Sequence, residues 1–293
     1  MEFKGCFTAI VTPFRGSGVR TPVDWESFRS IIEFQDKSGV TGLVACGSTG
    51  ESATLSIDEH NEVIEFAVEN SKGMTIGGTG SNSTWEAIEM TRHAYNAGVV
   101  ASLQVCPYYN KPNQEGLYQH FSKIAETVDI PLILYNVPSR TVTRIEPSTM
   151  ARLAEEHSNI VGVKEASGKE EVWKGIRSEC PKDFFILSGN DEDTYTLMKD
   201  HRATGVVSVA SNVLPREIAG FVSMGLEGRF KEMEREQKRL SEAFKVLFID
   251  SNPIPVKHAM NWKGLGAGGY RLPLCETSIE NKRRIEEVFS RFG

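Results

Sequence analysis

The chain has 293 residues, a formal net charge of −6 and 40% hydrophobic side chains. That length holds a large core, or one barrel with an appendage, and the acidic balance gives no reason to expect nucleic-acid binding; the most basic run, Lys282-Arg283-Arg284, is followed by Glu286 and Glu287 and reads as a solvated helix face. No stretch is apolar for long enough to span a bilayer, and Met1-Glu2-Phe3-Lys4-Gly5 lacks the apolar segment of a secretory leader.

Residues 6–11 predict a first strand, stopped by Thr12-Pro13. Thr21 as N-cap with Pro22 at the first helical position then predicts a helix, with Ile31, Ile32 and Phe34 on its apolar face and Gly39 as its stop. Residues 42–46 read as a second strand running into Gly47-Ser48-Thr49-Gly50-Glu51, and Ser56 and Glu59 have capping-box spacing for the helix that follows. Residues 74–78 give a third strand, followed by Ser83 and Glu86 at the same spacing. Residues 99–105 give a fourth, leading into Pro107-Tyr108-Tyr109-Asn110-Lys111-Pro112, and residues 130–135 a fifth, leading into Asn136-Val137-Pro138-Ser139-Arg140. The sixth, Ile160-Val161-Gly162-Val163-Lys164, is apolar until it delivers a lysine. Residues 184–187 and 205–209 complete eight.

Strands alternating with helical patterns about 20 to 35 residues apart fit βα units, and eight such units fit a (β/α)8 TIM barrel, an α/β fold. A doubly wound sheet is the second choice, but no GxGxxG follows the first strand. Beyond residue 225 the strands stop. Residues 226–248 read as a long charged helix, Pro253 and Pro255 interrupt the chain, and two helical segments follow at 256–262 and 278–292. The expected division is a catalytic barrel over 1–224 and a small C-terminal helical extension over 225–293.

The six histidines form no HxH or HExxH pattern, so no metal site is expected. The five cysteines include no CxxC pair; Cys6, Cys46 and Cys106 lie in or beside apolar runs, which suits buried free thiols in a reducing cytoplasm. In a TIM barrel, functional groups sit at the C-terminal strand ends. Those ends carry Ser48 and Thr49, Tyr108 and Tyr109, Tyr135, Lys164, Gly189 and Ser208. An amine surrounded by hydroxyls is what imine chemistry with a small keto acid requires. Burial disfavours the charged ammonium, and a neutral amine is a nucleophile towards ketones; the bland alternative is a lysine that snorkels to water. The 47–50 turn offers N–H groups at a helix start, an anion site, or else an ordinary turn. Arg140 could bind a carboxylate bidentately or lie on the surface. Tyr135 could be core packing and Tyr108-Tyr109 a loop cover. Glu165 reads as a charge neighbour of the lysine or a helix-starting acid.

In combination GSTGES, PYYNKP, LYNVPSRT, GVKEASG, LSGND and NPIPVK are specific, and they span most of the chain. With them the chain resembles the dihydrodipicolinate synthase family, within the wider group of class I aldolases that includes N-acetylneuraminate lyase and 2-keto-3-deoxy sugar acid aldolases. The resemblance implies a lyase of lysine and diaminopimelate biosynthesis that condenses pyruvate with L-aspartate-4-semialdehyde through a lysine Schiff base, without a cofactor. It implies that Lys164 forms the imine and that Tyr135 relays protons through Ser48 to Tyr109 of a neighbouring subunit. Thr49 would hold the pyruvate carboxylate, Arg140 the carboxylate of the second substrate, and Gly189 and Val207 would offer carbonyls near the lysine. It further implies a homotetramer, a dimer of dimers, and feedback by L-lysine in an interface cleft matched by Ser52, Ala53, His60, Asn82, Glu86 and Tyr108. The plain alternatives there are that Glu86 only caps a helix and that His60 lies on a solvated face. Ile57 replaces a histidine of some inhibited members, so weaker inhibition is expected. Ser48 stands where synthases usually carry threonine, a spelling shared with neuraminate lyases, whereas Arg140 favours the synthase. A metal-dependent hydrolase barrel would want HxH near the first strand, where Thr8-Ala9-Ile10 stands; a barrel that binds small acids without catalysis is the non-enzymatic alternative.

Overall fold

The eight apolar runs form parallel strands that close on themselves in sequence order, β1 to β8, in a computed structural model that describes residues 2–292. The barrel begins with β1 (Gly5–Ala9), α1 (Trp25–Asp36), β2 (Gly42–Ala45), α2 (Ile57–Asn70), β3 (Met74–Gly78) and α3 (Thr84–Ala97). It continues with β4 (Ala101–Val105), α4 (Gln114–Thr127), β5 (Leu132–Asn136), the single turn α5 (Pro138–Thr141) and α6 (Pro147–Glu156). Then come β6 (Ile160–Glu165), α7 (Glu170–Glu179), β7 (Phe185–Ser188), α8 (Thr194–His201), β8 (Gly205–Ser208) and α9 (Pro215–Leu226). Three further helices follow: α10 (Phe230–Val246), α11 (Ile254–Trp262) and α12 (Ile279–Phe289). No helix among the described residues is long and apolar enough to cross a membrane.

The near-continuous apolar strands are explained by two cores. Side chains alternate along a strand. One set, including Phe7, Val44, Ile76, Ile133, Leu187 and Val207, fills the barrel interior. The other set, including Ile10, Leu43, Leu134, Val163 and Ile186, packs outward against apolar helix faces such as that of Phe28, Ile31 and Ile32. Fully burying each such side chain stabilises the fold by about 1.5–3 kcal/mol. The seam between first and last strands is sealed by Asn212, whose amide donates to the Ala9 carbonyl at 2.8 Å and accepts from the Val11 N–H at 3.2 Å.

Two local expectations are corrected. Helix α1 starts at Trp25, and its N-cap is Asp24, whose carboxylate accepts the Ser27 N–H. Thr21-Pro22 cannot open it because Phe14 and Val23 form an antiparallel bridge that keeps the preceding segment extended. The long helix starts at Phe230 rather than 226, because α9 runs on to Leu226 and Gly228, at φ +73°, turns the chain. The Ser56–Glu59 capping box forms in full, whereas at α3 only the Ser83 side chain caps, accepting the Glu86 N–H. Cys6, Cys46 and Cys106 are buried free thiols.

Candidate active site

The register of β5 and β6 places Tyr135 directly opposite Lys164. Parallel neighbours in register present their side chains on the same face, so the two meet at the C-terminal mouth of the barrel. Lys164 Nζ lies 4.1 Å from the centroid of the Tyr135 ring, and both residues are 7% exposed. Above them opens a cavity of about 760 Å³. Its lining includes Ser48, Thr49, Tyr135, Arg140, Lys164 and Gly189, contributed by the ends of four strands. Ser48 and Tyr135 line it with hydroxyls that take no hydrogen-bond partner among the described residues.

The 47–50 turn differs from its expected form. It does not open an α-helix: a single 3-10 turn, Ser52–Thr54, follows, and α2 begins only at Ile57. The break comes at Glu51, which is left-handed at φ +53°. The N–H groups of Gly50 and Glu51 are consumed inside the turn by Gly47 and Ser48 carbonyls, at 3.0 and 3.2 Å. Those of Ser48 and Thr49 take no partner among the described residues. The turn therefore offers two adjacent N–H groups without an internal partner rather than a helix terminus. The Thr49 hydroxyl accepts from the Asn252 side chain at 3.0 Å.

Arg140 sits in the turn α5 and donates through Nη2 to the Asn252 carbonyl at 3.2 Å, which leaves guanidinium N–H groups free to meet an acid in the cavity. Asn252 thus touches both flanks of the site. At β7, Gly189 lines the cavity, and its N–H bonds the Glu165 carbonyl at 2.7 Å. A Cβ there would stand 2.6 Å from that of Ala166, so only glycine lets the chain pass. Val207 does not line the cavity: it belongs to the packed barrel interior, and Val209 takes that place at the mouth.

Glu165 is neither a neighbour of the lysine charge in the cavity nor the start of a helix. It is fully buried and accepts from the Asn136 side chain at 2.8 Å and from the Ser167 N–H at 2.6 Å; α7 begins only at Glu170. Burial pushes its carboxyl above the usual range. Asp191, just past Gly189, is also buried and accepts the Val209 and Ala210 N–H groups, both at 3.0 Å. Burial raises its pKa as well, while the Ser208 hydroxyl, those two N–H groups and the Lys164 charge act in the opposite direction. No group of three or more histidine, cysteine or acidic side chains suited to a metal ion occurs among the described residues.

The model of the dihydrodipicolinate synthetase family matches residues 2–291. The chain belongs to that family. A 4-hydroxy-tetrahydrodipicolinate synthase of Methanothrix thermoacetophila is 45% identical over 292 residues, covering 99% of this chain and 97% of the relative. The crystal structure of a dihydrodipicolinate synthase from Aquifex aeolicus superposes with a TM-score of 0.96 at 43% identity, over 99% of this chain and 98% of the other. A structure of the enzyme from Cyanidioschyzon merolae with lysine bound superposes with a TM-score of 0.93 at 38% identity, over 98% and 97% of the two chains.

The remaining family positions lie outside the cavity of the single chain. Tyr109 is 90% exposed and left-handed at φ +72°, with Tyr108 beside it half as exposed. The next residue, Asn110, donates to the Asn82 carbonyl at 2.8 Å, which ties this loop to the entrance of α3. His60 is buried rather than on a solvated face, with Nε2 2.9 Å from the Gly78 carbonyl. Burial lowers its pKa, and the Glu86 charge is close enough to oppose that shift. Glu86 also bonds the Ser81 hydroxyl. Ser52 and Ala53 lie on the 3-10 turn below the 47–50 segment. Sequence reasoning missed Asn252 as a side chain at the site and Asp191 as the buried acid that holds the chain after β8. Both stood inside quoted motifs, NPIPVK and LSGND, but nothing local to either motif indicates a contact with Thr49 or with the β8 end.

Proposed function

We propose that this chain is a 4-hydroxy-tetrahydrodipicolinate synthase: a lyase that condenses pyruvate with L-aspartate-4-semialdehyde on the route to diaminopimelate and lysine, without a cofactor. The single observation that carries the reading is the Lys164–Tyr135 pair, 4.1 Å from amine to ring, at the floor of a cavity flanked by two carboxylate-binding sets. The Lys164 amine adds to C2 of pyruvate, and loss of water gives the imine. The Ser48 and Thr49 N–H groups and the Thr49 hydroxyl receive the pyruvate carboxylate. Loss of a C3 proton gives the enamine, which attacks the aldehyde carbon of the second substrate. Arg140 holds that substrate's carboxylate. Its amine then displaces Lys164 and closes the ring. Tyr135 and Ser48 move protons, and Tyr109 of a neighbouring copy completes the relay. The exposure of Tyr109 supports that assignment, since a hydrophobic ring open to solvent is available to a second subunit. Orientation and acid–base catalysis supply much of the rate. Gly189 offers its carbonyl near the lysine.

The assembly read here is a homotetramer of two dimers, working in the cytoplasm. L-lysine is its feedback ligand, bound among Ser52, Ala53, His60, Asn82, Glu86 and Tyr108. The Asn110–Asn82 bond supports this, because it links the tyrosine loop to that set. Calorimetry on wild type and Glu86→Ala tests it: weaker binding in the variant is expected, and no heat at millimolar lysine contradicts it. The main test of activity is formation of cyclic product from pyruvate and L-aspartate-4-semialdehyde. Faster cleavage of N-acetylneuraminate than synthesis of that product would overturn the assignment.

A further inference from the structure

The turn carrying Ser48 and Thr49 is held by groups more than 200 residues away in sequence. Glu51 ends that turn. It is 3% exposed and left-handed at φ +53°, a conformation that a residue with a long side chain keeps only when its surroundings hold it there. Both of its carboxylate oxygens are engaged. One accepts from Lys257 Nζ at 2.6 Å, and the other accepts the Arg271 N–H at 3.2 Å. Lys257 is fully buried on α11, and its three ammonium hydrogens are all spent: on Glu51, on the Thr12 carbonyl at 3.0 Å and on the Gly269 carbonyl. Its Nζ also lies 4.5 Å from the centroid of the Phe14 ring. Thr12 in turn donates its hydroxyl to the Gly50 carbonyl at 2.8 Å.

These contacts converge on Gly50 and Glu51, directly behind the residues that face the cavity. The same helix is entered through Asn252, whose side chain reaches Thr49 and whose carbonyl receives Arg140. One anchor therefore fixes both the turn and the segment that touches it. A buried ion pair is poor evidence of stability on its own, because apolar groups of equal volume often serve as well. What it supplies here is a fixed distance between α11 and the turn.

We propose that the buried Glu51–Lys257 pair is a positioning device for pyruvate capture: it sets the Ser48–Thr49 turn against Asn252 and so aligns the carboxylate donors with Lys164. The inference rests on the reading of the site given above. Neither partner touches substrate, so both are positioning residues.

The test is the double variant Glu51→Gln with Lys257→Met in the full chain. It removes both charges together and leaves no unpaired buried ion. The expected result is a folded protein, by circular dichroism and thermal melting, whose kcat/KM for pyruvate falls about 10- to 100-fold, the scale of a small misplacement of reacting groups. The loss should lie mainly in the KM for pyruvate, with the KM for the second substrate nearly unchanged. A merely structural role would move the melting temperature and leave that split untouched. A folded double variant with wild-type pyruvate kinetics overturns the proposal. Glu51→Asp is the second variant: it keeps the charge pair but pulls the carboxylate back by one methylene, and the same rise in pyruvate KM is expected. If neither variant folds, the pair belongs to stability alone and the proposal falls. Borohydride trapping of pyruvate on the wild type separates the two claims. No adduct removes the Schiff-base reading, whereas a trapped wild type with unperturbed variants removes only this inference.

Discussion

The amine–phenol pair on β5 and β6 and the hydroxyl turn after β2 face the same cavity, yet they are fixed by different means. Lys164 and Tyr135 are opposite residues in a ladder of parallel strands, so their approach follows from register and from apolar packing on both sides of the sheet. Ser48 and Thr49 lie outside any strand or helix. Their turn is held by a left-handed Glu51, by a buried ion pair to α11 and by the Asn252 side chain. A sheet fixes neighbours at low cost because every residue in the ladder shares the constraint. An irregular turn needs dedicated partners for each of its polar groups. The proposed chemical centre is therefore rigid by default, whereas the proposed carboxylate site is rigid only while the C-terminal helices stay docked.

The comparison is broken most severely at the sheet. Lys164→Arg should be nearly inactive and form no imine, because a guanidinium stays protonated and cannot attack a ketone; a steady-state assay with a melting curve checks that the fold survives. At the turn, Ser48→Ala should lose roughly 10²–10⁴-fold in kcat, the scale of a positioned proton-transfer group, while Ser48→Thr stays active. Turnover at the wild-type rate in Ser48→Ala would remove that hydroxyl from the relay.

On the opposite flank, Arg140→Ala should still give the pyruvate adduct, but condensation with L-aspartate-4-semialdehyde should fall about 10- to 100-fold, the value of a charged hydrogen bond. Equal losses in trapping and condensation would contradict a role confined to the second substrate. Asn252→Ala removes one neutral bond to Thr49, worth about 1 kcal/mol, so the KM for pyruvate should rise roughly fivefold. A larger rise than that of the Glu51→Gln with Lys257→Met double variant would show that the turn depends on Asn252 more than on its ion pair.

The smallest effect on catalysis is expected away from both regions, in the helical shell. His120 on α4 is 5% exposed, with Nδ1 2.9 Å from the Thr84 hydroxyl, and burial lowers its pKa to about 4. The unfolded chain, titrating near pH 6.5, binds a proton that the folded chain refuses. The folded state therefore holds its full advantage above about pH 6.5 and loses it as pH falls towards 4, by an amount on the order of 3 kcal/mol. Denaturant midpoints from pH 7 to 4 should drop less steeply in His120→Gln than in wild type, with activity at pH 7 nearly unchanged.

The barrel was legible because its signal is periodic: eight apolar runs, each ended by polar or glycine residues, at βα spacing. Lys164 and Tyr135 were legible because a strand end is a fixed place in such a barrel, and the family motifs pointed to the same residues. The form of the 47–50 turn was not, since a left-handed Glu51 leaves no local mark that distinguishes it from the start of a helix. Nor was the partnership of Glu51 with Lys257 and Arg271, because contacts across more than 200 residues have no spacing to read. Val207 entered through the family resemblance, for its backbone carbonyl, and its side chain lies in the packed interior below the mouth. For His60 the sequence left a ligand-binding position and a solvated face both open, and neither reading held the inward turn of its ring to the Gly78 carbonyl.

The central claim is that Lys164 is the nucleophile at the floor of the cavity. Borohydride reduction of the wild-type protein with pyruvate, followed by peptide mass mapping, addresses it directly. One reduced pyruvyl group on Lys164, absent without pyruvate and absent in Lys164→Arg, is the expected result. An adduct on a different lysine, or none at all in a protein that still turns over, would contradict it.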